Sequence, residues 1–78
     1  MAVSAFILID VTGDHTTSAH KTITRIEGVK VVYEISGPHD LLVQAEADSV
    51  EALHEYTLSR IRQVDGVTKT LTCFVLEK

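Results

Sequence analysis

An α+β fold made of two strand-helix-strand halves is predicted by three observations. Val3 to Val11 is almost continuously apolar, the pattern of a central strand covered on both faces. Two further runs rich in branched apolar residues, 29–35 and 41–47, flank a compact turn, Ser36-Gly37-Pro38-His39-Asp40, which carries the chain's only proline. The halves also repeat: Ile26-Glu27-Gly28-Val29 matches Val64-Asp65-Gly66-Val67 at a shift of 38 positions, and the same shift sets Asp10 on Asp48.

The elements follow in order. Thr12-Gly13-Asp14 breaks the first strand, and Asp14 is the expected N-cap of a helix reaching Ile26, with Ala19, Ile23 and Ile26 on its inner face. Glu27-Gly28 ends that helix, and a second strand opens at Val29, with Val29, Val31, Tyr33 and Ile35 alternating against Lys30, Val32, Glu34 and Ser36. After the turn comes a third strand, 41–47. Asp48 and Glu51 form a capping-box-like start to a second helix with an inner stripe of Val50, Leu53, Thr57, Ile61 and Val64. Asp65-Gly66 stops it, and 67–76 is the last strand. Right-handed crossovers then give a ferredoxin-like βαββαβ plait, a four-stranded antiparallel sheet of order 4-1-3-2 with both helices on one face.

Alternation sorts the side chains. With Ala5, Ile7 and Ile9 toward the helices, the shift of 38 sends Val43, Ala45 and Ala47 the same way, and Cys73 is expected in the core. The open face is expected to hold Ser4, Phe6, Leu8, Val32, Glu34, Leu42, Gln44, Glu46, Thr70, Thr72 and Phe74. So apolar a face needs a cover that a chain of 78 residues cannot supply as a third layer, which predicts a face-to-face pair of subunits.

Composition narrows the function. Seven basic residues scattered among eleven acidic ones, for a net charge of −4, do not make a phosphate-binding surface. One cysteine leaves no internal disulfide framework and fits a reducing, cytoplasmic setting. The opening apolar run meets Asp10 too soon to span a bilayer. His15 and His20 are five apart, so no histidine pair has the i, i+4 spacing of a helical metal site, and neither a metal nor another cofactor is expected.

The turn is the expected binding site. Gly37 and Pro38 shape a backbone that leaves amides exposed beside a carboxylate and an imidazole, which suits a zwitterion whose carboxylate wants N–H donors and whose ammonium wants an acid. A structural reading stands beside this one: Asp40 as a turn carboxylate accepting local N–H groups, His39 as an idle surface side chain, and Thr70 and Thr72 as ordinary strand formers.

Ser4-Ala5-Phe6-Ile7-Leu8, the stretch from Val32-Tyr33-Glu34 through Ile35-Ser36-Gly37-Pro38-His39-Asp40-Leu41-Leu42, and Val64-Asp65-Gly66-Val67 followed by Thr70-Leu71-Thr72 cover nearly the whole chain. In that order and spacing the sequence resembles the C-terminal effector-binding (RAM) domain of the Lrp/AsnC, or feast/famine, transcription regulators. Full-length members place a helix-turn-helix domain before it; here Met1 opens directly on the first strand, so the resemblance implies a stand-alone form. It further implies an amino-acid effector, sheet-to-sheet homodimers assembling into rings, commonly octamers, and effectors held between dimers near the Gly-x-x-Asp turn. Carried over by position, the ligand-binding residues are Gly37, Pro38, His39, Asp40 and Leu42, with hydroxyls from Thr70 and Thr72, and with Asp40 or Glu34 for the ammonium. His39 stands where many relatives have an aromatic residue, which points to polar or acidic effector side chains.

Regulation by such a module passes through a partner, either by co-assembly with full-length Lrp/AsnC regulators, the favoured route, or by direct binding to a metabolic enzyme. Two other classes share the plait: small dimeric α/β-barrel enzymes of oxygenase or isomerase type, and ACT-like regulatory subunits. No catalytic residues are expected, because His39 and Asp40 are neighbours on one turn and the core is filled by Ile, Leu and Val.

Overall fold

The computed structural model describes residues 2–76. Strands β1 (Val3–Val11), β2 (Val29–Glu34), β3 (Leu41–Ala47) and β4 (Val67–Phe74) form one antiparallel sheet of order β2-β3-β1-β4, the expected order read from its other edge. Helix α1 (Thr16–Thr24) and helix α2 (50–62) cover one face. Between sheet and helices lie Ala5, Ile7, Ile9, Leu41, Val43, Ala45, Ala19, Ile23, Leu53, Leu58 and Ile61, none of which exposes any surface. At roughly 1.5–3 kcal/mol for each large apolar side chain removed from water, this single layer carries the domain's stability.

Both helix starts differ from the expectation. Residues Gly13–His15 form a 3₁₀ turn in which Thr12 O accepts the His15 amide at 2.9 Å. Backbone closure thus replaces the side-chain cap expected of Asp14, and the α-helix begins later, at Thr16. The second helix is capped by Ser49 rather than Asp48: Ser49 keeps an extended backbone, and its Oγ accepts the Ala52 amide at 3.0 Å. Within α2, Leu53–Leu58 is a π turn, closed by the Ser59 amide on His54 O. The extra residue in that turn brings both Thr57 and Leu58 inward and leaves Val50, assigned to the inner stripe, 42% exposed.

The repeat is visible in the backbone. The Ile26 and Val64 amides reach back to Ile23 O and Ile61 O, and the Val29 and Val67 amides to Ile26 O and Val64 O. Gly28 and Gly66 both have φ of 91°, open to glycine because it lacks a Cβ. Each following strand then bulges at its second residue: register passes from Val29↔Ala45 to Val31↔Gln44, skipping Lys30, and from Val11↔Val67 to Asp10↔Lys69, skipping Thr68.

These bulges overturn half of the expected facing. One extra residue flips every later side chain of a strand. On β1 and β3 the expectation holds. On β2 and β4 it inverts: Val32 is 8% exposed opposite Val43, and Thr70, Thr72 and Phe74 pair with Ile9, Ile7 and Ala5 on the helix side, where the Phe74 ring lies 5.9 Å from that of His54. Glu34, opposite the buried Leu41, also belongs to the helix side, at the sheet edge. Tyr33, Leu71 and Cys73 face outward instead, so Cys73 is exposed and not a core residue.

The open face is nevertheless as apolar as expected, now with Phe6 39%, Tyr33 52% and Leu71 47% exposed, beside Leu8, Val31 and Leu42. Among the described residues, no helix is long and apolar enough to cross a membrane.

Gly28→Ala tests the glycine exit. A Cβ there would stand 2.5 Å from Thr57 Oγ1 and 2.9 Å from Glu46 O at a φ disfavoured by L-residues. A loss of about 2–3 kcal/mol is expected in urea unfolding.

Candidate functional site

One end of the sheet gathers the turn between β2 and β3, the end of β1 and the start of β4. The 36–40 turn departs from β3 and folds over β1 because Asp40 extends the β1–β3 ladder by one step: its amide donates to Ile9 O at 3.0 Å, while its Oδ2 accepts the Val11 amide at 2.8 Å. The Ile35 amide closes the loop on Asp40 O at 2.9 Å. Asp40 therefore holds the turn to the sheet from both its backbone and its side chain; its carboxylate has a structural role, but toward an amide 29 positions away rather than the local N–H groups expected.

Gly37 has φ of 138° and precedes a cis peptide to Pro38. The amides of Ser36, Gly37 and His39 find no acceptor among the described residues. Such N–H groups on a fixed turn are suited to an anionic oxygen.

His39 is not idle. Its Nδ1 lies 2.8 Å from Oδ1 of Asp10, with the two side chains 20% and 31% exposed. Asp10 sits on the open face, cross-strand from Lys69, and its carbonyl accepts the Thr68 hydroxyl at 3.2 Å. In the sequence, Asp10 aligns the repeat and interrupts the opening apolar run, and nothing there assigns it to the turn. Its signal was an acidic residue near the end of an otherwise apolar strand, where an unpaired charge is costly.

The structure brings Gly37, Pro38, His39 and Asp40 together and sets Leu42 on the open face opposite Leu8. Thr70 lies at the same end of the sheet, opposite Ile9, but on the helix side. Thr72 is two residues further along, opposite Ile7. Glu34, on the helix side at the edge, does not share the face of Asp10. The bulges at Lys30 and Thr68 account for all three displacements.

Elsewhere, a groove of about 590 Å³ runs between α1 and α2, past Ser18, Thr22, Arg60 and Gln63. Among the described residues, no three His, Cys, Asp or Glu side chains converge as metal ligands.

A plait of this strand order, with exposed turn amides beside the hydrogen-bonded Asp10–His39 pair, has the architecture of small ligand-binding domains. The chain belongs to the Lrp/AsnC ligand binding domain family, whose model matches residues 4–78. It is similar to a stretch of the homocitrate synthase of Sulfolobus acidocaldarius, at 45% identity over 64 residues. Those residues are 82% of this chain and only 14% of that enzyme. Among solved structures, TTHA0845 from Thermus thermophilus superposes with a TM-score of 0.91 at 28% identity, covering 97% of this chain and 95% of that one. The transcriptional regulator NMB0573 of Neisseria meningitidis, solved as its L-Met complex, shares the fold with a TM-score of 0.84 at 20% identity, over 97% of this chain and 51% of that one.

Removing the Asp40 carboxylate leaves the Val11 amide without its partner. Asp40→Ala should cost about 1–3 kcal/mol in chemical denaturation, with hydrogen exchange at Val11 and Asp40 rising before that of the sheet centre.

Proposed function

We propose that this ligand-binding domain is a regulatory module that senses an amino acid at the 36–40 turn and transmits its occupancy through subunit assembly. The observation that carries the reading is the set of free amides, those of Ser36, Gly37 and His39, on a turn clamped to β1 by Asp40. A carboxylate docked there gains N–H donors with no reorganisation of the backbone. Of the two carboxylates expected to hold the ligand's ammonium, Asp40 is occupied by the Val11 amide and Glu34 faces the other side of the sheet. The L-Met complex of the Neisseria regulator, of the same fold, supports an amino acid as the ligand class.

The module acts by binding, not by catalysis. Its core leaves no room for a buried reaction centre, and the residues around the turn hold each other or the backbone. The open face, with Phe6, Leu8, Tyr33, Leu42 and Leu71, is the surface of a homodimer, and dimers close into a ring, an octamer by analogy with the family. The chain works in the cytoplasm.

Two protein partners fit: full-length Lrp/AsnC regulators, joined through the same sheet face, and a biosynthetic enzyme. The 45% identity to part of homocitrate synthase, against 20% to the Neisseria regulator, favours the enzyme.

Light scattering after size exclusion, run with each common amino acid in excess, tests the reading. Discrete assemblies whose mass or melting temperature responds to one or two amino acids are expected. Saturation at 100 times Kd should add about 2.7 kcal/mol. An assembly indifferent to every amino acid would sink the sensor. Independently, Leu71→Lys places a charge in the apolar face and should yield monomers on the same column while the far-ultraviolet circular dichroism stays unchanged.

A further inference from the structure

We propose that Asp10 and His39 together set effector specificity, selecting amino acids whose side chain ends in a hydrogen-bond donor, above all a basic one. The inference rests on the reading that an amino acid binds at the turn, and it names the class that the site accepts.

The argument starts from what a carboxylate can do. An ionised Asp10 only accepts hydrogen bonds, so the 2.8 Å contact from His39 Nδ1 to Asp10 Oδ1 requires the imidazole proton to sit on Nδ1. In the neutral ring that leaves Nε2 with a bare lone pair. Asp10 fixes the tautomer, and in that tautomer Nε2 of His39 is an acceptor. The second oxygen of Asp10 takes no hydrogen bond from any described residue.

The pair therefore offers a ligand two acceptors, Asp10 Oδ2 and His39 Nε2, and no donor. The other charged groups at this end roughly cancel. Asp40 is a second carboxylate, tied to the Val11 amide. Lys69, cross-strand from Asp10, and Arg62, which lines one concavity with Thr68 and Lys69, are cations that make no ion pair within 4 Å among the described residues. The choice therefore rests on the two acceptors: an ammonium or guanidinium at the tip of an effector side chain satisfies both, whereas a carboxylate tip finds no donor on the pair. The imidazole expected from sequence to favour acidic side chains is thus converted by its partner to the opposite preference.

Calorimetric titration of the full chain with lysine, ornithine and arginine, against norleucine and glutamate, tests this. Norleucine is the informative probe, because it matches the lysine side chain without the ammonium. Wild type should prefer lysine to norleucine by at least about tenfold. Asp10→Asn and His39→Phe should each bring that ratio toward one while norleucine binding persists, which also shows that the variants are folded.

Norleucine or glutamate binding wild type as tightly as lysine would overturn the proposal and leave the sensor reading standing, as would a ratio unchanged in both variants. Failure of every amino acid to bind would remove the sensor reading and this inference with it.

Discussion

Two glycines govern how this chain folds back on itself. Each helix ends by turning sharply into a strand, and at each of those exits a glycine with φ of 91° lets the backbone pass where a side chain would collide with the opposite helix region. At Gly28 the neighbours are Thr57 and the Glu46 carbonyl; at Gly66 they belong to His15. Thr57 adds a second tie across the same gap, its hydroxyl donating to Glu27 O at 2.7 Å from a site only 1% exposed. The close approach leaves the strand one residue out of step with its neighbour, and the chain absorbs it as a bulge at Lys30 and again at Thr68. The face that each edge strand shows to solvent depends on that step.

The site inherits its geometry from the same arrangement. Because β4 bulges at Thr68, Lys69 rather than its neighbours stands beside Asp10, while Thr70 turns to the helix side. Because β3 is long enough for Asp40 to continue its ladder, the turn lies flat against β1 and His39 reaches Asp10. The turn is thus held by backbone hydrogen bonds, by the Asp40–Val11 contact and by the Asp10–His39 hydrogen bond. The turn joins β2 to β3, its clamp is on β1 and Lys69 stands on β4, so the candidate site draws on all four strands, which in the proposed assembly present the dimer face.

The family relationship fits a domain used as a detachable part. The stretch of homocitrate synthase that matches is 14% of that enzyme, and the matched part of the Neisseria regulator is 51% of its chain. What these chains share is the fold, and a fold by itself does not fix which ligand each one takes.

Much of the architecture was legible in the order of residues. Apolar runs of the right length marked β1 and β3 to the residue, glycines marked both helix exits, and the repeat of Ile26-Glu27-Gly28-Val29 by Val64-Asp65-Gly66-Val67 announced two equivalent halves. The turn at 36–40 was legible because glycine, proline and aspartate have conformational demands of their own. Facing on β2 and β4 was not, since a bulge is a compromise between a helix exit and a neighbouring strand, and neither Lys30 nor Thr68 announces it. Nor was the meeting of Asp10 and His39, 29 positions apart. Local sequence carries propensity and period; the partner that fixes an imidazole's proton, or the side of a sheet on which a threonine lies, is decided only when distant strands come into register.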